Sequence, residues 1–514
     1  MSKQKPSPHL SRRAPCGRAS RCGYRATFIG ALLIALLIGT ALLPLRAVAN
    51  AFDRDWCELD AGEFRLVTDR SHAAAEDMAW RLQRFRPVAE RYLPGVANDR
   101  NPPLRVVVFG RGRDFRRAVD GADVVGYMLP SLSENLMVVG PDPFARSEHE
   151  TLLHEYVHYL LRTRMDIHIP TWFDEGLAGV LSTAEIDGDG VTIGALPRAY
   201  LEAAIRQGGL NLAQVLEAGD VWRWRGERRR AFYAWSWLLT HRLLLGHTAG
   251  LDDQRPALAA YLAGESANLS DALGTSSRAL QRSLERYLSR SAARQQHHHE
   301  SDTAANRAYD YRCLDAKDRA IELALAVMPH NPVAAARELR AQLADDDQDA
   351  RLWVALSLAE EANGSRDAAV LAARSALNLA GDDGSAMVRL ASALVMGCIL
   401  DVSIECRSRW QEATPLLRRT LRQDPTLQEA IFILGLAYLY SGRPGDALNY
   451  LRIAHRRQPW AAHVNFYLGE SHRLVGDQRR AVEHLELAQQ WSPIELWRML
   501  ADAALAEIDP PASR

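Results

Sequence analysis

A repeat in the last third of the sequence limits its possible fold more than any other feature. Gly435 recurs as Gly469, Gly442 as Gly476, Ala447 as Ala481, Leu451 as Leu485, Ala454 as Ala488 and Pro459 as Pro493, each at an offset of 34. The preceding unit keeps this register through Ala413, Leu417 and Pro425, and an earlier unit carries Trp353, Gly364, Ala368 and Ala372. Ala368 lies 45 residues before Ala413, so 45 − 34, about 11 extra residues, interrupt the array there. Small Gly and Ala positions let paired helices approach closely, and each unit buries its apolar face only against its neighbours. The expected result is an all-helical solenoid of about four helix pairs. Its insertion holds Cys398 and Cys406, near enough in sequence to be bridged in an oxidising compartment.

With 514 residues the chain exceeds one ordinary core, so further domains precede the solenoid. Apolar content of 47% and charged content of 24% are those of globular protein, and a net charge of -1 argues against a nucleic-acid partner. Residues 1–51 stand apart. Lys3, Lys5, Arg12, Arg13, Arg18, Arg21 and Arg25 precede an uncharged apolar run, 26–45, and small residues follow at Ala47, Ala49 and Ala51. This is the layout of a signal peptide, and the run is also near the length of an N-terminal membrane anchor. Both readings place the rest of the chain outside the cytoplasm, either periplasmic or secreted, or anchored to the inner membrane by residues 26–45. There is no Cys-x-x-Cys pair, and Cys57 with Cys313 would form a second, longer bridge.

Residues 52–290 read as one mixed domain. Phe64–Thr68 and the β-branched run Leu104–Phe109 predict strands, a helix fits 71–92 between them, and Gly126–Met128 and Leu136–Val139 predict a further pair. From Ser147 the pattern is helical, except for a turn at 187–190 and a short strand at 191–193. Residues 291–306 lack apolar periodicity and read as a solvated linker, His297-His298-His299 included, before a repeat domain at 307–505.

The chemistry concentrates in Leu152-Leu153-His154-Glu155-Tyr156-Val157-His158-Tyr159-Leu160-Leu161. Residues four apart on a helix share a face, so His154 and His158 can reach one ion, and Glu155 can reach a water beside it. Catalytic zinc takes three protein ligands and keeps a position for water. Two carboxylates stand downstream in Pro170-Thr171-Trp172-Phe173-Asp174-Glu175-Gly176-Leu177-Ala178.

Through these motifs the chain resembles the gluzincin zinc metallopeptidases, and more closely their peptidase MA-like branch with C-terminal tetratricopeptide repeats. The resemblance covers roughly residues 55–250, with its specific motifs between 150 and 180. In that group a Trp-x-x-Glu-Gly-x-Ala motif carries the third ligand. This implies Glu175, seventeen residues after His158, with Asp174 as its rival. Some gluzincins place an acidic residue four positions after that ligand to orient a histidine; here the position is Gly179, which leaves the orienting partner unidentified.

The resemblance implies an α+β zincin-like catalytic domain followed by an all-α tetratricopeptide-repeat solenoid. It implies Zn2+ held by His154, His158 and Glu175, Glu155 as general base, and a protein or peptide substrate, with the repeats binding substrate or a protein partner. An oxyanion stabiliser is expected from a later helix, with Tyr233 as the candidate and His241 in reserve. His149 reads as a solvated neighbour, and His168 as a residue near the cleft. Two other functions stay open: an interaction scaffold whose zincin domain is structural or inactive, and a hydrolase of a non-peptide bond.

Overall fold

In a computed structural model of the protein, the described residues run from 51 to 508, apart from 96–101, 122–123, 143–146, 148, 163–168, 219–220, 222–223, 290–294, 300–308, 399–403, 460 and 492–494. The apolar segment 26–45 and His168 therefore lie outside them. Among the described residues no helix is long and apolar enough to cross a membrane.

A six-stranded sheet organises the first half. Its order is β4 (Gly126–Leu129), β5 (Asn135–Val139), β3 (Leu104–Val108), β2 (Phe64–Thr68), β1 (Cys57–Asp60) and β9 (Asp310–Cys313). β2, β3 and β5 run parallel, while β4, β1 and β9 pair antiparallel to their neighbours. The helix α1 (His72–Glu90) crosses from β2 to β3, started by Ser71, whose side chain accepts a hydrogen bond from the Ala74 N–H. Parallel strands are covered on both faces, and alternate residues here serve two separate cores. Leu66, Val106, Val108, Met137 and Val139 belong to one core; Val67, Val107 and Val138 belong to the other.

The first core holds α1, α3 (Glu150–Arg162), α4 (Thr171–Ser182) and α7 (Gly226–Leu245), with α5 (Arg198–Gly208) and α6 (Leu212–Leu216) between the last two. The second core joins Phe109 and Phe115, the latter on α2 (Gly112–Ala118), to Leu323, Ala324, Val327, Ala335 and Leu339 of the first two repeat helices. The solenoid thus packs directly on the back of the sheet.

That arrangement corrects the expected solvated linker. Gln296–His299 form β8, which pairs with β7 (Gly190–Ile193) and through it with β6 (Glu185–Ile186). His298 is buried. Arg91 donates to its Nδ1 at 3.1 Å, and its Nε2 meets the Tyr92 hydroxyl at 2.7 Å. β9 then returns the chain to the large sheet beside β1, where Cys57 faces Cys313 in register and the two are disulfide-bonded. Neither segment shows apolar alternation, so only their partners make them strands.

From Ala316 to Ile508 every described element is a helix. Five helix pairs are followed by the helix Glu495–Ile508, one pair more than the repeat register suggested. The inserted segment is bridged by Cys398–Cys406. Gly435 and Gly469 sit where a Cβ would meet Leu451 and Leu485 at 2.9 Å and 2.8 Å, which is why glycine recurs at that spacing.

Non-reducing peptide mapping is expected to link Cys57 to Cys313 and Cys398 to Cys406, with none of the four labelled by a thiol reagent in denaturant without reductant. The bridges close loops of 256 and 8 residues. Chain entropy then ranks their stabilisation at about 5.5 and about 2.5 kcal/mol. Cys313→Ser should therefore lower the urea midpoint further than Cys406→Ser, and the reverse order would contradict this assignment.

Candidate metal centre

α3 is pinned by its apolar residues. Leu152, Leu153, Tyr156, Val157, Leu160 and Leu161 are at most 2% exposed, and Tyr156 packs edge-on to Phe64 at 6.5 Å. This leaves His154, Glu155 and His158 on the opposite stripe. α4 begins after Pro170, whose φ of −62° suits the residue before a helix. Its Trp172 and Phe173 are both 1% exposed and point into the core, so Asp174 and Glu175 turn towards α3.

Gly176 allows α4 to cross α7 closely. A Cβ there would lie 2.2 Å from Thr240 Oγ1 and 2.4 Å from the Ser236 carbonyl oxygen. One turn on, Gly179 receives the Trp237 indole, whose N–H donates to the Gly179 carbonyl at 3.0 Å. The indole occupies the space an acidic side chain at 179 would need.

Three donor atoms converge. His154 Nε2 and His158 Nε2 are 3.2 Å apart, and Glu175 Oε2 lies 3.4 Å from the first and 3.6 Å from the second. Ligand atoms about 2.0–2.1 Å from a tetrahedral zinc are separated by about 3.3–3.4 Å. The triangle therefore has the size of one face of such a tetrahedron, with a catalytic-type donor set of two imidazoles and one carboxylate. It is the one metal-competent His/Cys/Asp/Glu group among the described residues.

The electrostatics favour positive charge there. Burial opposes a charged His158, yet Asp174 and Glu175 raise its pKa well above the usual imidazole value. Burial would raise the Glu175 carboxyl, yet His154 and His158 hold it well below the usual range. A divalent cation between the Nε2 atoms meets the same demand as a proton.

Asp174 does not join the triangle. Its Oδ1 accepts from His158 Nδ1 at 2.8 Å, which fixes the proton on Nδ1 and turns the Nε2 lone pair towards the other donors. The orienting partner missing at Gly179 is thus supplied by the neighbour of Glu175. Nothing in the sequence signals this exchange.

Glu155 lies under the edge strand β4. A Cβ on Gly126 would fall 2.9 Å from Glu155 Cγ and 3.2 Å from its Oε1, so the strand passes close only because residue 126 has no side chain. Tyr233 of α7 faces the same site. Glu175 first, and burial second, raise its phenol above the ordinary range, so it remains a hydrogen-bond donor.

Two sequence-based expectations change. His241 is a core residue: its Nε2–H donates to the Gly194 carbonyl at 3.0 Å, Nδ1 lies 3.0 Å from the Tyr287 hydroxyl, and the ring stacks on Trp237. His149 is buried rather than solvated, with Nε2 3.2 Å from Asp77 Oδ2 of α1.

No protein-family model matches the sequence, and no curated protein matches it. Among solved structures the chain is similar to TTC0263, a thermophilic TPR protein of Thermus thermophilus (18% identity, 37% of this chain and 98% of that chain, TM-score 0.33). It is also similar to MamA of Desulfovibrio magneticus (19% identity, 34% and 94%, TM-score 0.27). A third is YrrB, a TPR protein with an unusual peptide-binding site (19% identity, 36% and 92%, TM-score 0.27).

The helix crossing generates a stability prediction. Gly176→Ala forces a methyl group against Thr240 and the Ser236 carbonyl, and overpacking of that kind costs about 1–3 kcal/mol. Gly188→Ala, at a turn where a Cβ meets nothing within 4 Å, should be neutral. Equal urea midpoints for the two variants would show that the crossing tolerates a side chain.

Proposed function

We propose that the protein is an extracytoplasmic zinc-dependent peptidase whose helical repeats bind a substrate or partner protein. The observation that carries this reading is the triangle of His154, His158 and Glu175 at zinc-ligand separations, with Glu155 next to it. The export-type N-terminus and the two disulfides agree with an oxidising compartment. Zinc bound there supplies Lewis-acid polarisation of the scissile carbonyl and a water of lowered pKa.

The chain's own groups supply the rest. β4 is the edge of its sheet, with no further strand beside it among the described residues. An extended peptide laid along it would pair backbone to backbone, with its scissile bond near Glu155. Glu155 takes a proton from the attacking water and returns it to the departing amine. The Tyr233 hydroxyl donates to the oxygen that gains charge as the carbonyl carbon becomes tetrahedral. Asp174 keeps the His158 ring from turning.

The second reading is an interaction scaffold with a structural metal centre. The solenoid favours it, because stacked repeats are commonly binding surfaces. The two readings separate on Glu155. Glu155→Gln should retain one zinc per chain and lose turnover by about 10²–10⁴. His158→Ala should lose both zinc and turnover. Tyr233→Phe should lower kcat by about 10²–10³ with little change in KM. Zinc-loaded wild type that leaves a broad peptide library uncut would move the scaffold reading ahead.

Asp174→Asn tests the orienting hydrogen bond separately. It keeps all three ligands and should weaken zinc affinity by about 10–100-fold, measured by chelator competition. Glu175→Ala should weaken it further, and the opposite order would exchange the roles of the two carboxylates.

A further inference from the structure

The insertion in the repeat array extends one helix. Ile404–Gln423 has 20 residues, whereas the corresponding second helices of the other pairs have 14 or 15. Aligned on the shared alanine, it starts nine residues before Ala413, against three for Pro444 before Ala447. Those six additional residues, 404–409, include Cys406 and Arg407 and are followed directly by Trp410. The Cys398–Cys406 bridge ties their start to the end of the preceding helix.

Together with the end of the next helix, this lengthened helix lines a groove of about 580 Å³, to which the extension itself contributes Arg407. Four guanidinium groups line it: Arg407, Arg418, Arg422 and Arg443. Only Arg443 has a carboxylate partner among the described residues, Asp446 at 2.7 Å. Arg418 donates to the Tyr438 hydroxyl, and the Arg443 guanidinium lies over the same ring at 4.7 Å. The Trp410 indole, 1% exposed, also lines the groove, and its N–H has no acceptor among the described residues. The groove therefore offers donors and positive charge on a rigid aromatic floor, with one carboxylate in return.

We infer that this groove binds an acidic, extended segment of a partner protein, recognised through its Asp and Glu carboxylates. Guanidinium groups pair with carboxylates through charge-assisted hydrogen bonds, and the volume falls in the range of ligand pockets, about 300–1,000 Å³. The inference deepens the reading of the solenoid as a binding surface and is independent of hydrolysis at the metal centre. Its test therefore uses the cleavage-deficient Glu155→Gln chain.

Full-length Glu155→Gln protein is titrated, with anisotropy as the readout, against a fluorescein-labelled decapeptide of alternating Asp and Glu. A matched peptide of Asn and Gln serves as control. The acidic peptide should bind and the neutral one should not. Adding Arg407→Glu and Arg422→Glu, both exposed positions, should weaken binding by more than about tenfold, the equivalent of one good contact. Arg282→Glu, an exposed charge reversal in the first domain, should leave affinity within about twofold. Replacing Cys398 and Cys406 by Ser should also weaken binding, with the melting transition followed in parallel. The proposal is overturned if the neutral peptide binds equally well, or if Arg282→Glu weakens binding as much as the groove variant. It is also overturned if an oligothymidylate or phosphatidylglycerol vesicles displace the peptide at lower charge concentration than unlabelled acidic peptide does.

Discussion

The two-residue period of the central strands is the constraint on which the other features rest. In β2, β3 and β5 consecutive side chains enter different cores, so Val106 and Val108 pack towards the helix that carries His154 and His158 while Val107 packs towards the first repeat helices. A slip of one residue in any of these strands would exchange the two sets. The same register places β4 over Glu155 and the first repeat helices behind the sheet. The candidate site and the first repeat helices are therefore held from opposite faces of one layer.

Within the site, close approach is obtained by leaving side chains out. Gly126 admits Glu155 beneath the edge strand, Gly176 admits α7 against α4, and Gly179 admits the Trp237 indole. Gly126 faces the proposed base and Gly176 follows Glu175 in the chain, and each of the three would clash as alanine or force its neighbour to move. α7 comes near enough for Tyr233 to feel the Glu175 charge because α4 carries no side chain at the crossing.

What could be read from the sequence follows the range of the interactions involved. The pairing of His154 with His158 is local, set by one helical turn, and the buried Leu and Val residues on that helix show its inner face. The 34-residue period is also local arithmetic, and it reveals the solenoid but undercounts its pairs, since the first pair, Ala316–Val327 with Pro332–Asp345, keeps only Ala334 of the marker residues. Glu175 needed a family resemblance, because two adjacent carboxylates look alike until the helix turns one to Nε2 and the other to Nδ1. β8 and β9 are illegible in the sequence for a different reason. Gln-His-His-His and Asp-Tyr-Arg-Cys have no apolar alternation, and they become strands only through β7 and β1, more than a hundred residues earlier in the chain. The basic groove was also invisible, since its arginines look like ordinary helix surface until two helices bring them together.

The edge strand links these observations mechanically. Tyr127, one residue after the glycine over Glu155, donates its hydroxyl to the Ala326 carbonyl in the first repeat helix and packs edge-on against His330 at 4.8 Å. Beyond the same strand, the Ser131 carbonyl accepts from Gln458, at the end of the fourth helix pair. β4 is thus anchored to the solenoid next to Gly126 and again beyond its far end, while Gly126 itself, the first residue of the strand, closes over the proposed base. Proposed catalytic groups tolerate displacements well below 1 Å, and here the strand that sets the Glu155 position takes its own position from the repeats. A solenoid joined only by a flexible tether could not do this. Continuity through β9, the Cys57–Cys313 bridge and the shared second core make the repeats part of the frame that holds the site.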